Sequence, residues 1–201
     1  MSERFSKLIK LPKDPAAKIV AQGNILLRTP VTYPASASVE VLLTKLAAKD
    51  AWVDIMTVLA HALPAREAVW WACLAARDLT GPGDQKATPC LRAAENWVLD
   101  PSDANRAVAR AALDGVYVDD DTNLVATAAM YAAGNMGPGD MANYPAPVGI
   151  VGGCVFGMNM LALAEAEDFD RSIQILIDRA LDIGRGGNGH VADLVLEKGA
   201  V

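Results

Sequence analysis

Apolar positions recur at helical spacing through nearly every segment after residue 38, and no run alternates apolar and polar residues convincingly over five positions. Behind Ser38, a residue type whose hydroxyl caps helix starts, Val39, Leu42, Leu43 and Leu46 keep the 3.6-residue period. Trp52, Ile55, Met56, Leu59 and Leu63 continue it to a break at Pro64. A second helix is predicted from Ala65 to about Thr80, stopping at Gly81-Pro82-Gly83. Further helices are predicted over 88–99, over 101–114 behind Asp100-Pro101, and over 121–133, 146–167 and 170–183. The sum is about seven helices, with Gly115-Val116-Tyr117-Val118 read as a connector.

The last helix separates its faces most cleanly. Arg171, Gln174, Asp178 and Asp182 lie on one side and Ile173, Ile177, Ala180 and Leu181 opposite, which predicts a surface position. Residues 124–133 and 148–164 are apolar all round, which predicts the middle of a bundle. Between Asp140 and Glu165 lie 24 uncharged residues, long enough to span a ~30 Å hydrocarbon core at ~1.5 Å per residue. The stretch contains Asn143, Pro145, Pro147 and Asn159 and has acidic flanks without a Lys or Arg anchor, so no membrane span is expected. Gly149, Gly153 and Gly157 recur every fourth residue, a spacing that lets a neighbouring helix approach closely.

Upstream the pattern changes. Pro12, Pro15, Pro30 and Pro34 keep any helix in the first 35 residues short, so residues 1–35 are predicted to be an extended arm. Two ordered pieces are expected within it: Phe5, Leu8 and Ile9 on one helical face, and a turn capped by Asp14 with Pro15 at its first position and Gly23 as its stop. Residues 36–184 then form the helical domain, and 185–201 a Gly-rich joint with a short terminal segment. No period between ~20 and ~50 residues repeats, which favours a single orthogonal-type bundle over a solenoid. The fold class expected is all-α. Composition agrees, with 36 Ala against 11 aromatic residues.

Charge divides the chain. Residues 1–28 carry six Lys or Arg against Glu3 and Asp14, a local +4 that leaves the rest at −10 within an overall −6. An acidic body argues against nucleic acid as a partner, since a polyanion needs a net basic face. Cys73, Cys90 and Cys154 are odd in number and have no short paired spacing, so no disulfide framework is expected. The N-terminus lacks the apolar core of a secretory signal, and the expected setting is cytoplasmic.

No segment assembles a catalytic, cofactor or metal site. His61 and His190 are the two histidines, and no cysteine has a partner at zinc-ligand spacing. His61, Glu67 and Cys73 cluster across a helix break, but Cys73 follows Trp70-Trp71-Ala72 in apolar surroundings that suppress the thiolate. His61 reads as a helix-end residue meeting the negative end of the dipole. Gly184-Arg185-Gly186-Gly187-Asn188-Gly189 satisfies G-x-G-x-x-G, yet it follows a helix where a dinucleotide fold needs a strand before it. Asp119-Asp120-Asp121 with Asn123 lacks the Gly and Glu of a calcium loop, having Leu124 and Met130 in their places, and reads as a helix start. Trp70 and Trp71 point about 100° apart on a helix, so together with Trp97 they read as core anchors, the second face being a possible interface anchor.

Residues 60–79, with Leu63-Pro64-Ala65-Arg66-Glu67 leading into Trp70-Trp71, and residues 93–106, with Asn96-Trp97-Val98-Leu99-Asp100-Pro101, resemble an uncharacterised bacterial family of Ala-rich helical proteins classed as a domain of unknown function. The resemblance covers about 40–160. It implies a gene setting near type VI secretion components, and hence an accessory, adaptor or chaperone-like role.

The expected function is accordingly a non-enzymatic module that binds another protein. Phe5, Lys7, Leu8, Ile9 and Lys10 of the basic arm are its expected contacts, docking on an acidic partner surface or on the acidic body of a second copy. Deleting residues 1–30 is expected to abolish capture while leaving the helical signal. The alternatives are a small enzyme or ligand-binding protein with a pocket near His61, Cys73 and Trp97, and a toxin-neutralising immunity protein, for which the acidic body is the support.

Overall fold

The computed structural model describes residues 3–81, 83, 86–115 and 120–196. Among these it is all-helical, with nine α-helices and no strand. In chain order they are α1 (Ala16–Gln22), α2 (Val39–Ala47), α3 (Trp52–Ala62), α4 (Ala65–Thr80), α5 (Pro89–Leu99), α6 (Asp103–Asp114), α7 (Asn123–Tyr131), α8 (Ile150–Ala164) and α9 (Phe169–Gly184).

The count exceeds the expected seven for two local reasons. The first long helix breaks at Asp50, whose φ of 52° is left-handed, a conformation that Asp tolerates better than most residues. The Ala51 amide then closes back on the Leu46 carbonyl at 3.1 Å before α3 begins. The second reason is α1, which does form inside the arm. There Pro15 takes the capping position expected for Asp14, and Asp14 instead pairs with Lys18 one turn on at 2.8 Å.

Side-chain caps fix several other starts. Thr88 accepts from the Leu91 amide with Pro89 at the first helical position, Ser102 accepts from Asn105, and Asp168 from Arg171. Thr122 precedes α7, its amide and hydroxyl both bonded to the Asp120 carboxylate. The expected connector at 116–118 and Asp119 lie outside the described residues.

The helix α4 sits at the centre, in contact with α5, α7, α8 and α9. Ala68, Ala72, Ala75 and Ala76 leave its surface shallow, which lets α8 pack closely, while Trp71 fills the space beside them. On α9 the predicted division of faces is observed, with Ile173, Ile177, Ala180 and Leu181 buried and Arg171 and Asp178 exposed. The expectation for α8 is corrected in part: Cys154, Val155, Met158, Ala162 and Leu163 are buried, but Gly153 and Leu161 face outward.

Three buried charged side chains tie irregular segments to helices. Arg106 donates to the Met130 carbonyl, to Asp103 and to Asn135, anchoring the loop after α7. Arg179 grips Asp78 and the Ala192 carbonyl, which holds the C-terminal segment down. Asp54 accepts from the Arg28 and Thr29 amides at 2.9 and 2.8 Å, which fastens the end of the arm to α3.

The arm is mostly non-helical, as expected, but it lies against the body. Phe5, Leu8, Leu11, Ala16 and Ile19 belong to the same buried cluster as the helices. Arg4 bonds to Asp178 and Gln174 of α9 and lies over the rings of Phe5 and Trp52. The Leu8 amide donates to Glu40 and the Lys10 amide to the Gly184 carbonyl. Acidic side chains of its own chain, Asp178, Glu40 and Glu67, thus receive part of the arm.

Candidate functional site

The five residues expected to touch a partner separate into two groups. Phe5 and Leu8 are 2% and 5% exposed, packed into the core of their own chain and turned away from solvent. Lys7 has a φ of 61°, which reverses the chain and undoes the single helical face on which Phe5, Leu8 and Ile9 were aligned. In consequence Ile9 is 76% exposed. Lys10 reaches Glu67 of α4 at 3.0 Å.

Lys10 is the arm residue that lines a groove of about 290 Å³. Its floor and rim come from Arg66, Glu67 and Trp70 of α4, Val98 and Leu99 at the end of α5, Ile183 of α9, and the loop 186–188. Ile9 stands beside that loop, its Cδ1 3.8 Å from where a Cβ on Gly186 would sit. Leu99 is 78% exposed. Trp70 is half-buried and fixed in place: its Nε1 donates to the Asn188 carbonyl at 2.8 Å, and the His190 ring meets it edge-on at 5.9 Å. Arg66 is held by the Val98 carbonyl at 2.6 Å.

Sequence reasoning named Ile9 and Lys10 as contact residues, with no groove in view, and did not single out Leu99. The signal was present: Cys90, Leu91, Ala94, Trp97 and Val98 form the buried stripe of α5, and Leu99 falls off it.

His61 is not brought into one cavity with Cys73 and Trp97 among those described. His61 lines a cavity of about 460 Å³ between α1, α3, α7 and the start of α8, which neither Cys73 nor Trp97 lines. Its Nδ1 bonds the Thr57 carbonyl at 2.8 Å and its ring fills a notch between Gly23 and Gly152, where a Cβ at either position would crowd it. Glu67, the third member of that cluster, is the partner of Lys10.

All three cysteines are buried and unpaired. Burial, with Glu95 adding to it, pushes the Cys73 thiol well above its ordinary value. Burial and the nearby Asp120 push Cys90 up to about 12, and burial pushes Cys154 up to about 11. Thiols so shifted are poor nucleophiles at neutral pH. Asp78 is likewise raised, because burial outweighs its bonds to Arg179.

The glycine-rich loop is occupied by its own chain. The Asp182 side chain accepts from the Gly189 amide and the Asp182 carbonyl from the Gly187 amide, and the loop follows the C-terminal, negative end of α9. Its amides therefore do not form a phosphate cradle. Among the described residues no group of three or more His, Cys, Asp or Glu is placed to hold a metal ion, and no helix is long and apolar enough to cross a membrane.

Fold and groove together define an Ala-rich protein, all-helical among the described residues, with the exposed Leu99 in the wall of a groove. Residues 42–184 match the model of the Family of unknown function (DUF6931), and the chain belongs to that family. No curated protein and no solved structure matches the chain. The arm that supplies Ile9 and Lys10, and residues 186–188 of the loop, lie outside the matched span.

Proposed function

We propose that the chain is a non-enzymatic protein-interaction module and that its contact surface is the groove between the arm and α4. The observation that carries this reading is the exposure of Leu99, 78%, in the wall of a groove that Trp70 also lines, its Nε1 bonded to the Asn188 carbonyl, with Ile9, 76% exposed, beside Gly186 of the same loop. Aliphatic side chains that exposed around an oriented indole gain most from being covered, and Trp is enriched where binding energy concentrates. The burial of Cys73, Cys90 and Cys154 supports the same reading, because it withdraws the best nucleophiles from solvent.

The role proposed is that of an accessory, adaptor or chaperone-like protein acting in the cytoplasm beside type VI secretion components. Its support is the resemblance carried by residues 60–79 and 93–106.

Affinity capture from the source cells with wild-type and L99D baits tests the module. Leu99 is exposed, so the variant keeps its fold, and urea midpoints check that. At least one protein retained by the wild type is expected to be lost from L99D. Identical retained sets from the two baits would contradict the reading.

A further inference from the structure

We infer that the outward face of α8 is a contact between two copies of this chain, which pair antiparallel about a two-fold axis at Gly157. Residues 122–164 carry Asp140 as their one charged residue in a chain that is 21% charged. In consequence α7 and α8 are, among the described residues, the two α-helices with no charged side chain. The outward side chains of α8 are apolar or absent: Gly153, Leu161 and Ala164 are exposed, and Phe156, Gly157 and Met160 are half-buried beside them. A helix that is apolar all round belongs inside, yet this one is left open on one side by its own chain. Leu161 is 38% exposed, and a Cβ on Gly153 would meet nothing within 4 Å. Such a face gains from being covered.

Charge and register say what covers it. A chain of −6 repels its own copy over most of its surface, and on a two-fold contact every charge near the axis meets its own image. The face of α8 escapes both penalties. Its shape is also self-complementary, because Leu161 stands four residues after Gly157 and Gly153 four before it. An antiparallel pair centred on Gly157 therefore seats each Leu161 in the open hollow at the other copy's Gly153. The missing side chain at Gly157 lets the two backbones come close where they cross. A foreign protein would not require knob and hollow to stand at equal distances from one residue, whereas a two-fold axis does.

The helix ends fit the same register. It carries Glu165, exposed at the end of α8, to the partner's Gly149, where the helix starts without a side-chain cap. A carboxylate is favoured at that positive end of the dipole. This surface shares no residue with the groove at Trp70 and Leu99, so the inference stands apart from the interaction reading above.

Sedimentation velocity of the full chain from about 1 to about 100 µM tests it, with twice the 21.2 kDa chain mass expected at the upper concentration. L161E, at an exposed position, should raise the midpoint concentration of association at least about tenfold with the helical circular dichroism retained, and G153K, in open space, should do the same. L99D should leave the association unchanged. Mixing L161E with G153K should restore a dimer, because the antiparallel register sets the introduced carboxylate over the introduced ammonium once per pair. A wild type that stays monomeric at the upper concentration would overturn the inference and leave the face to a foreign protein or a lipid surface. So would a dimer that L161E and G153K leave intact, or two weakened variants that the mixture does not restore. A dimer that L99D dissolves would place the contact at the groove and overturn it as well.

Discussion

Side chains that look reactive in the sequence are the ones the fold withdraws. Cys73, Cys90 and Cys154 ionise less readily in the folded protein than in the unfolded chain, where the ordinary value is 9.0. A raised folded pKa means that the contribution to stability is complete below 9.0 and is lost as pH climbs through the folded values of about 11 for Cys154 and about 12 for Cys90. Unfolding free energy measured in urea is therefore expected to decline steadily between pH 9 and 11, and substituting Cys90 by Ser or Ala should flatten the slope. A stability that does not change across that interval in the wild type would contradict the placement of the thiols. Alkylation by iodoacetamide at neutral pH should be slow for all three in the native state and rapid in urea. The sequence already signalled this for Cys73, through its apolar neighbours Trp71 and Ala72. It could not show that His61 would sit apart from Cys73, because a helix break leaves direction undetermined.

Helix identity was legible almost throughout, and α4 begins at Ala65 and ends at Thr80 as the Pro64 and Gly81 punctuation predicts. What the period cannot report is which of two adjacent residues faces in. In α8 the four-residue spacing singled out Gly149, Gly153 and Gly157; close approach does occur at Gly149 and at Gly157, where a Cβ would meet Leu124 of α7 at 3.0 Å, and it occurs also at Gly152, where a Cβ would overlap the His61 imidazole. Gly153 faces open space. Gly149 is needed for its own reason: it caps the helix with a φ of 72° and lies against the Gly23 carbonyl. Neighbouring substitutions should therefore have opposite signs. G153A is expected to stabilise by up to ~1 kcal/mol through helix propensity alone. G152A should destabilise by about 1–3 kcal/mol through overpacking, and an H61A background should remove most of that cost. Urea midpoints of the single and double variants check both. Equal effects of G152A and G153A would contradict the packing described here.

At the scale of the whole molecule, the arm decides what the protein can present. A Pro-rich, basic segment reads from sequence as an extended arm, because neither charge nor proline spacing reveals that Phe5, Leu8 and Leu11 find a vacancy against α2 and α9. The structure closes that vacancy in cis, with Arg4 on Asp178, Leu8 on Glu40 and Lys10 on Glu67. Removing the arm is therefore expected to cost stability, not capture alone. Truncating Phe5 to Ala should by itself cost roughly 3–5 kcal/mol, in the range for a buried aromatic. The same docking turns Ile9 outward and sets Lys10 in the wall of the groove, so interaction surface and stability are coupled through a few residues.

Native-state amide hydrogen exchange tests that docking most directly. The amides of Leu8, Lys10, Arg28 and Thr29, whose acceptors are Glu40, the Gly184 carbonyl and the two oxygens of Asp54, are expected to exchange as slowly as amides inside α2 and α3. Exchange of these four at the rate of an unfolded peptide, with α2 and α3 still protected, would show that the arm is free and that the groove it walls does not exist.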